Sequence, residues 1–211
     1  SAVQSTWDGQ VRHVVLAQHA DDQVETLLLA LSRGSGLPGL ASMPSAVRRE
    51  DVTYLRPWLK VPGAQLRETL QRLGQPWVED PTNQDTRFTR NRIRAQVMPA
   101  LARAFPAFRD TFARSAAHAA QAQTLLTELA AADWLLVCDE AGQAPHIKRL
   151  QALSPARQAN VLRHWLSHYC ASQASSAQLQ ELMGQVAACT TRGHQIHIKV
   201  GHGFVDRKSV V

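Results

Sequence analysis

Three ionisable side chains with regular spacing occupy one short stretch of the sequence. His19, Asp22 and Glu25 follow each other at intervals of three within the run HADDQVET, which begins at His19. If a helix begins here, residues three apart share one of its faces, so an imidazole and two carboxylates would point the same way. Such a face can hold an ammonium group or a Mg²⁺ ion. The alternative is an ordinary helix start, in which acidic residues only complement the helix dipole.

A glycine-rich loop follows this stretch. It reads RGSGLPG from residue 33, and its candidate binding residues are Arg33, Gly34, Ser35 and Gly36. A loop of this kind lets the backbone approach a phosphate group or a base closely. The alternative is a helix C-cap followed by a turn, which is the commoner use of glycine.

A third candidate segment is rich in arginine. Residues 87–94 read RFTRNRIR, and the candidate binding residues are Arg90, Asn91, Arg92 and Arg94. The planar guanidinium group matches phosphate and carboxylate groups through two parallel hydrogen bonds. A solvated basic face is the alternative. The position of the segment, after an acidic loop and near a predicted cleft, favours anion binding.

A strand followed by a helix would position the first of these segments. Val11–Ala17 is an apolar, β-branched run that predicts a buried strand. A helix is predicted next, because apolar residues recur on one helical face from Val24 to Leu31. In open parallel α/β sheets, ligands bind at the carboxyl ends of the strands. The junction therefore places the His19–Glu25 run at a predicted binding edge.

The remaining predicted elements follow from breaker residues and apolar periodicity. They are a strand at Val52–Leu55, a helix from Val61 to about Leu73, a polar loop at Glu79–Asp85, a helix from Arg87 that Pro99 kinks or breaks, a long alanine-rich helix from Pro106 to about Cys138, helices from Ser154 and Ser175, and paired strands at Ile196–Val200 and Phe204–Val211. The sequence therefore predicts an α/β parallel-sheet domain over residues 1–105, a linker helix over 106–140 and a small α+β domain over 141–211.

Composition narrows the function classes. The chain has 23 Lys plus Arg against 17 Asp plus Glu, a formal charge of +6, which favours a polyanionic partner, although solubility alone is the alternative. The three cysteines are odd in number and widely spaced, which is typical of a reduced, cytoplasmic protein. No apolar run reaches the ~18 residues of a membrane helix, and no signal peptide opens the chain. His164 and His168 have no second ligand pair, so we predict no metal site there.

Several motifs in order resemble one family. Residues 18–26 (QHADDQVET) are similar to HHxDDQxET, and residues 33–40 (RGSGLPGL) to RGSGxxGL. Arg56-Pro57, EDPTN at 79–83 and RNRIR at 90–94 are similar to that family's RP, EDP(S/T)N and RNxIR signatures. The chain thus resembles the tRNA(Ile)-lysidine synthases, within the PP-loop ATP pyrophosphatases. The resemblance covers residues 11 to about 105 strongly, and it implies a partial PP-loop, Rossmann-like domain.

The resemblance also implies a reaction and roles for the candidate residues. ATP, with Mg²⁺, adenylates the C2 oxygen of the wobble cytidine in the CAU anticodon of tRNA(Ile), and L-lysine then displaces AMP to give lysidine. Asp22 and Glu25 would hold the substrate lysine, with an arginine of the RNRIR stretch contributing. His19 would lie near the adenylated base, and residues 33–36 would line the cleft. The second domain would contact tRNA outside the anticodon.

Two departures from the family pattern matter. Gln18 replaces the usual first histidine, and the SGGxDS pyrophosphate loop is absent from the 211 residues. Since the chain also begins without methionine, we expect that loop to lie upstream of Ser1, and we expect this chain alone to be inactive. A sheet without its first strands would leave part of its core face exposed or paired with another chain, as in a homodimer. The alternative function is an RNA-binding module that has lost the ATP loop and its chemistry.

Overall fold

The structure is a computed structural model that describes residues 12–169, 174–189, 196–200 and 203–206. The chain divides into two compact units, Ser1–Gln123 and Thr124–Val211. In the part that the structure describes, no helix is long and apolar enough to cross a membrane.

The described part of the first unit contains a three-stranded sheet. Strands β1 (His13–Val15), β2 (Ala46–Arg49) and β3 (Val52–Leu55) lie in the order β1-β3-β2. β1 is parallel to β3 and β2 is antiparallel to it. The prediction of β3 is confirmed, whereas β2 was missed because its sequence, AVRR, lacks an apolar face.

The first strand differs from its prediction. The regular strand covers only three residues, and Val15 is 63% exposed, so the prediction of a buried strand is wrong for the described residues. The physical reason is that β1 is paired with β3 on one side only in the described part of the chain, and its exposed face has no covering layer there.

The helices of this unit carry the candidate residues. They are α1 (Ala20–Ser32), α2 (Leu37–Leu40), α3 (Gly63–Arg72), α4 (Thr89–Arg92) and α5 (Met98–Ala104), with a 3₁₀ turn at Pro81–Gln84 and a π-helical turn at Ile93–Val97. The π turn ends two residues before Pro99, and such a distortion is expected near a residue that cannot donate to the preceding turn. A long helix, α6 (Phe108–Val137), begins in this unit.

A small apolar core fixes α1 against the later helices. Val24 of α1 packs in one buried cluster with Ile93, Met98 and Phe108. Because Ile93 is buried beside Val24, the next residue in the chain, Arg94, lies close to α1. The core therefore brings together two segments that are far apart in the sequence.

In its described residues, the second unit contains the rest of α6, three shorter helices and a pair of strands. The helices are α7 (Ile147–Gln151), α8 (Pro155–Tyr169) and α9 (Ser176–Ala188), and β4 (His197–Val200) is paired antiparallel with β5 (Gly203–Asp206). The predicted capping box of Ser175 with Gln178 is confirmed, and so is the alternating burial of β4. The predicted continuation of β5 to Val211 lies outside the described residues. The core includes Trp134 and Trp165.

The mixed α/β class that the sequence predicts is confirmed. The division into residues 1–105, 106–140 and 141–211 stays a prediction. The division between the two units falls within the sequence of α6, between Gln123 and Thr124.

Candidate active site

The candidate site lies where β1 leads into α1. The backbone N–H of His19 donates to Oδ2 of Asp22 at 2.9 Å, which caps the first turn of the helix. His19, Asp21 and Asp22 are therefore held together at the N-terminal end of α1. This end of the helix also carries the positive end of the helix dipole, which stabilises the two carboxylates.

Arg94 forms a two-pronged ion pair with the fully buried Glu25. Its Nε lies 2.7 Å from Oε1 of Glu25 and its Nη2 lies 3.0 Å from Oε2, while Nη2 also lies 3.4 Å from Oδ1 of Asp22. The hydrogen bond with Glu25 raises the pKa of Arg94 above its usual range. A parallel, charge-assisted pair of this kind fixes the guanidinium plane. The side chain of Arg94 keeps 39% exposure, and Nη1 donates no hydrogen bond within the described parts of the chain.

Asp21 is held by two other elements. Its Oδ2 accepts the backbone N–H of Gly63 at 2.8 Å, and its Oδ1 accepts from Nε of Arg109 at 2.7 Å. Burial of the Asp21 carboxyl opposes ionisation, but the bonds from Gly63 and Arg109 outweigh it and keep its pKa below the ordinary value of 3.8. Asp21 therefore stays a carboxylate near neutral pH.

The imidazole of His19 lies between these two carboxylates. Its Nδ1 is 3.6 Å from Oδ2 of Asp21 and 3.5 Å from Oδ2 of Asp22. Nδ1 is buried and makes no hydrogen bond with the described residues. The other edge of the ring lies against Gly63, where an added Cβ would come within 3.1 Å of Nε2. The cluster thus contains three carboxylates, one imidazole and two guanidinium groups.

The other residues of the arginine segment have different positions. Asn91 is buried, and its amide donates to the carbonyl oxygens of Thr82 and Asp85, so it holds the preceding loop in place. Arg90 reaches Thr26 at 3.5 Å, and Arg92 donates to nearby backbone and side-chain oxygens. Of the three candidate arginines in this segment, Arg94 is the one that the structure brings into the cluster.

The glycine-rich loop lies at the opposite end of α1. The helix has 13 residues, so about 20 Å separates its two ends. Arg33 is the C-cap, and Gly34 has a φ of +63°, which is the left-handed conformation that ends many helices. Ser35 and Gly36 follow it. The structure does not bring these four residues together with His19, Asp22 and Glu25.

Comparison with known proteins decides the family. A model of the PP-loop domain matches residues 2–101, and a model of the TilS substrate binding domain matches residues 146–208. The tRNA(Ile)-lysidine synthase of Polaromonas naphthalenivorans (strain CJ2) is 61% identical over 194 residues, which cover 92% of this chain and 58% of that protein.

The chain belongs to the tRNA(Ile)-lysidine synthase family.

Two further relatives carry the same name. The Burkholderia pseudomallei (strain K96243) protein is 45% identical over 179 residues, which are 84% of this chain and 37% of that protein. The Bordetella pertussis (strain Tohama I / ATCC BAA-589 / NCTC 13251) protein is 40% identical over 197 residues, which are 91% of this chain and 61% of that protein. The chain thus spans between 37% and 61% of the length of the family members compared with it here. The resemblance found in the sequence motifs is confirmed.

Within this candidate site, sequence reasoning missed two supporting residues. Arg109 and Gly63 hold Asp21, but they are 88 and 42 positions away from it along the chain. Neither residue belongs to a motif, because α6 and α3 approach α1 only in the folded chain. The one weak signal is that Arg109 lies in the first turn of a helix, where the helix dipole disfavours a cation, so a nearby anion is expected.

Gln18 and Gln23 act beside the cluster as hydrogen-bonding residues. Oε1 of Gln18 accepts from Nε of Arg56 at 2.7 Å, and Arg56 also donates to the carbonyl of Pro44. The Gln23 amide bonds both the N–H and the C=O of Met43, at 3.1 and 2.9 Å. Together these contacts hold the segment before β2 against the start of α1.

Proposed function

We propose that this chain acts in lysidine synthesis on tRNA(Ile). In the proposed reaction, ATP adenylates the C2 oxygen of the wobble cytidine of the CAU anticodon. The amine of L-lysine then attacks C2 and displaces AMP. The observation that carries the proposal is the arginine–carboxylate cluster at the start of α1, which lies in a chain that is 61% identical to a tRNA(Ile)-lysidine synthase.

The cluster suits a zwitterionic amino acid. A lysine substrate needs an anionic partner for its ammonium group and a cationic partner for its carboxylate. Glu25 uses both oxygens on Arg94, so its role is to orient that guanidinium group. We assign the lysine carboxylate to the Nη1 edge of Arg94 and the ammonium group to Asp22, whose contact with Arg94 is the longer one at 3.4 Å. Asp22, Glu25 and Arg94 then act as one lysine-binding unit.

The other candidate residues take positioning and RNA roles in this proposal. His19 lies near the adenylated base. The exposed Arg90 and Arg92 face phosphate groups of the tRNA, and the buried Asn91 supports them. Arg33, Gly34, Ser35 and Gly36 contact tRNA or the cleft wall at the far end of α1. The second unit binds tRNA(Ile) outside the anticodon.

ATP is a substrate of the proposed reaction and Mg²⁺ assists its first step, and we assign neither to a described side chain. The first helical turn was a candidate for an ammonium group or for Mg²⁺. Among the residues that the structure describes, no group of three His, Cys, Asp or Glu side chains could hold a metal ion. The acids of the cluster are paired with arginines instead, which favours the ammonium group.

A homodimer is also a proposal. β1 is paired on one side only in the described part of the chain, and Val15 is exposed. A second copy could cover this face. Sedimentation velocity over a range of concentrations tests it, and a monomer at every concentration would contradict it.

Lysine incorporation tests the proposed function. The natural full-length protein, incubated with ATP, Mg²⁺ and labelled lysine, should label a tRNA(Ile) transcript that carries CAU. A transcript with UAU in place of CAU is the matched control and should stay unlabelled. Binding of the tRNA without labelling by a folded protein would instead support a non-catalytic RNA-binding module.

A further inference from the structure

The outward face of the β4–β5 pair carries two stacked rings. The inward-facing side chains of these strands are buried in the core of the second unit: Ile198, Val200 and Val205. On the other face, His197 and Lys199 are exposed and Phe204 is 58% exposed. The ring centroids of His197 and Phe204 lie 4.7 Å apart, and the two ring planes differ by 16°. We call His197, Lys199 and Phe204 the stacking face.

The stacking face combines an aromatic surface with a positive charge. Lys199 is opposite Phe204 in the strand register, so these two side chains leave the sheet next to each other. Lys199 forms no salt bridge with the side chains that the structure describes. A single exposed phenylalanine is ordinary on a protein surface, but an aromatic pair beside a lysine is the composition of a nucleic-acid contact.

β4 is held on both of its edges, which orients these side chains before any partner binds. One edge is paired with β5. On the other edge, the backbone N–H of His197 donates to Oε1 of Gln185 at 2.9 Å, and Nε2 of Gln178 donates to the carbonyl oxygen of Lys199 at 2.8 Å. A partner that stacks here therefore orders little of the chain, and less of its binding free energy is lost to that ordering.

The charge of this face favours RNA over another protein as its partner. Aromatic rings stack on nucleobases of any sequence, and a lysine beside them binds an adjacent phosphate. In contrast, lysine is depleted at the centres of protein–protein interfaces, where a desolvated ammonium group needs an acidic partner. The formal charge of +6 on the whole chain favours a polyanion in the same way.

We propose that the stacking face binds an unpaired nucleotide of tRNA, with the base stacked on the His197–Phe204 pair and the phosphate bound by Lys199. The nucleotide is unpaired because a base within an RNA helix is already stacked between its neighbours. This inference rests on the proposed function, since it specifies how the second unit contacts tRNA(Ile) outside the anticodon.

Substitutions of Phe204 in the full-length protein test the stacking. Phe204→Ala should raise the Kd for a tRNA(Ile) transcript about 5- to 150-fold, which is the loss expected for one stacked base. Phe204→Leu keeps an apolar side chain without an aromatic face and should bind almost as weakly, whereas Phe204→Trp should bind like the wild type. Leu135→Ala truncates another exposed apolar side chain of the second unit and is the matched control. Wild-type affinity in Phe204→Ala or Phe204→Leu would overturn the inference.

A salt series separates the stacked base from the phosphate. Lys199→Gln should reduce the slope of log Kd against log salt concentration by about 1, because one phosphate contact is lost. Phe204→Ala should leave that slope unchanged while it weakens binding at every salt concentration. An unchanged slope for Lys199→Gln would show that Lys199 binds no phosphate and would contradict the assignment.

Transfer RNA binding is measured without ATP or lysine, so its outcome does not depend on the proposed reaction. A protein that binds tRNA through this face but forms no lysidine would contradict the reaction and leave the inference standing. A second copy of the chain is the competing partner. If Phe204→Ala lowers the sedimentation coefficient and leaves the Kd for tRNA unchanged, the face is a protein interface and the inference is wrong.

Discussion

Two buried carboxylates in this chain are paired with arginine in almost the same way. Glu25 in the first unit and Asp133 in the second are both fully buried, and each accepts two hydrogen bonds from one guanidinium group. The arginine side chains, Arg94 and Arg157, keep 39% and 42% exposure. By burial and pairing alone, either could be the functional site.

The surroundings of the two pairs differ. Asp22 lies 3.4 Å from Arg94, and the His19 ring lies within 3.6 Å of both Asp22 and Asp21, so the first pair belongs to a larger charged cluster. Among the described residues, no third charged side chain forms a salt bridge with Asp133 or Arg157. A single buried pair is weak evidence of function, because structural pairs look the same. The first pair is distinguished by two further carboxylates, Asp21 and Asp22, so that three carboxylates share two arginines.

The largest expected effect is on lysine use at the first pair. Glu25→Gln removes the charge that orients Arg94, and loss of one partner from a desolvated charged pair costs on the order of 2–5 kcal/mol. We therefore expect a lysine KM raised by about 30-fold or more. Asp133→Asn removes the equivalent charge from the second unit and should leave the lysine KM unchanged. A similar rise in both variants would remove the distinction between the two pairs.

The second prediction concerns stability. Arg157→Gln leaves the Asp133 carboxylate buried without its partner, which should lower the free energy of unfolding. Urea unfolding of the 211-residue chain measures this. Arg163→Gln, an exposed arginine of the same helix, is the control and should unfold like the wild type. A free energy of unfolding for Arg157→Gln equal to that of the Arg163→Gln control would show that the pair does not stabilise the fold.

How much of this site the sequence predicts depends on separation along the chain. His19, Asp22 and Glu25 follow one another at intervals of three residues at the start of α1, so their spacing alone predicts a shared face. Arg94 was one of three equivalent candidates. The contact that selects it spans 69 positions and depends on the packing of Ile93 against Val24. Local patterns therefore predict the acids, and the tertiary core decides the arginine.

The same reasoning applies to the fold. The helices with a continuous apolar face, such as α8 and α9, begin within one or two residues of their predicted starts. β2 has two arginines in four residues, so its sequence gives no strand signal. It forms a strand through its backbone pairing with β3. Val15 was predicted to be buried because its neighbours are apolar. Its exposure depends on which other elements cover β1, and the sequence around Val15 carries no information about them.

The third prediction uses pH to separate Asp21 from the two pairs. The folded-state pKa of Asp21 is below 3.8, so its ionisation stabilises the fold above that pH, and this contribution is lost as the pH falls through the folded value. Relative to Asp21→Asn, the wild type should be more stable at pH 7, and the difference should shrink as the pH falls from 3.8 through the folded-state pKa of Asp21. Paired urea titrations at pH 7 and at a series of pH values below 3.8 measure it. A difference that stays constant over the whole series would show that packing, and not charge, is responsible.

The smallest expected effect is at Gln18. Its Oε1 accepts one hydrogen bond from Arg56, and loss of such a bond costs about 1 kcal/mol. Gln18→Ala should lower stability by that amount and leave the lysine KM unchanged, because Gln18 makes no contact with Asp22, Glu25 or Arg94 among the bonds that the structure describes. A raised lysine KM in this variant would extend the lysine site to Gln18.

The most direct test of the lysine site separates the two half-reactions in the full-length protein. Adenylated tRNA is trapped without lysine, and lysidine is measured with lysine present, for wild type, Glu25→Gln and Asp133→Asn. If the cluster of Asp22, Glu25 and Arg94 binds lysine, Glu25→Gln adenylates the tRNA at close to the wild-type rate and forms lysidine only at high lysine concentration. If Glu25→Gln abolishes adenylation while its lysine requirement stays normal, the cluster serves the phosphates or Mg²⁺, and the assignment of a lysine site is wrong.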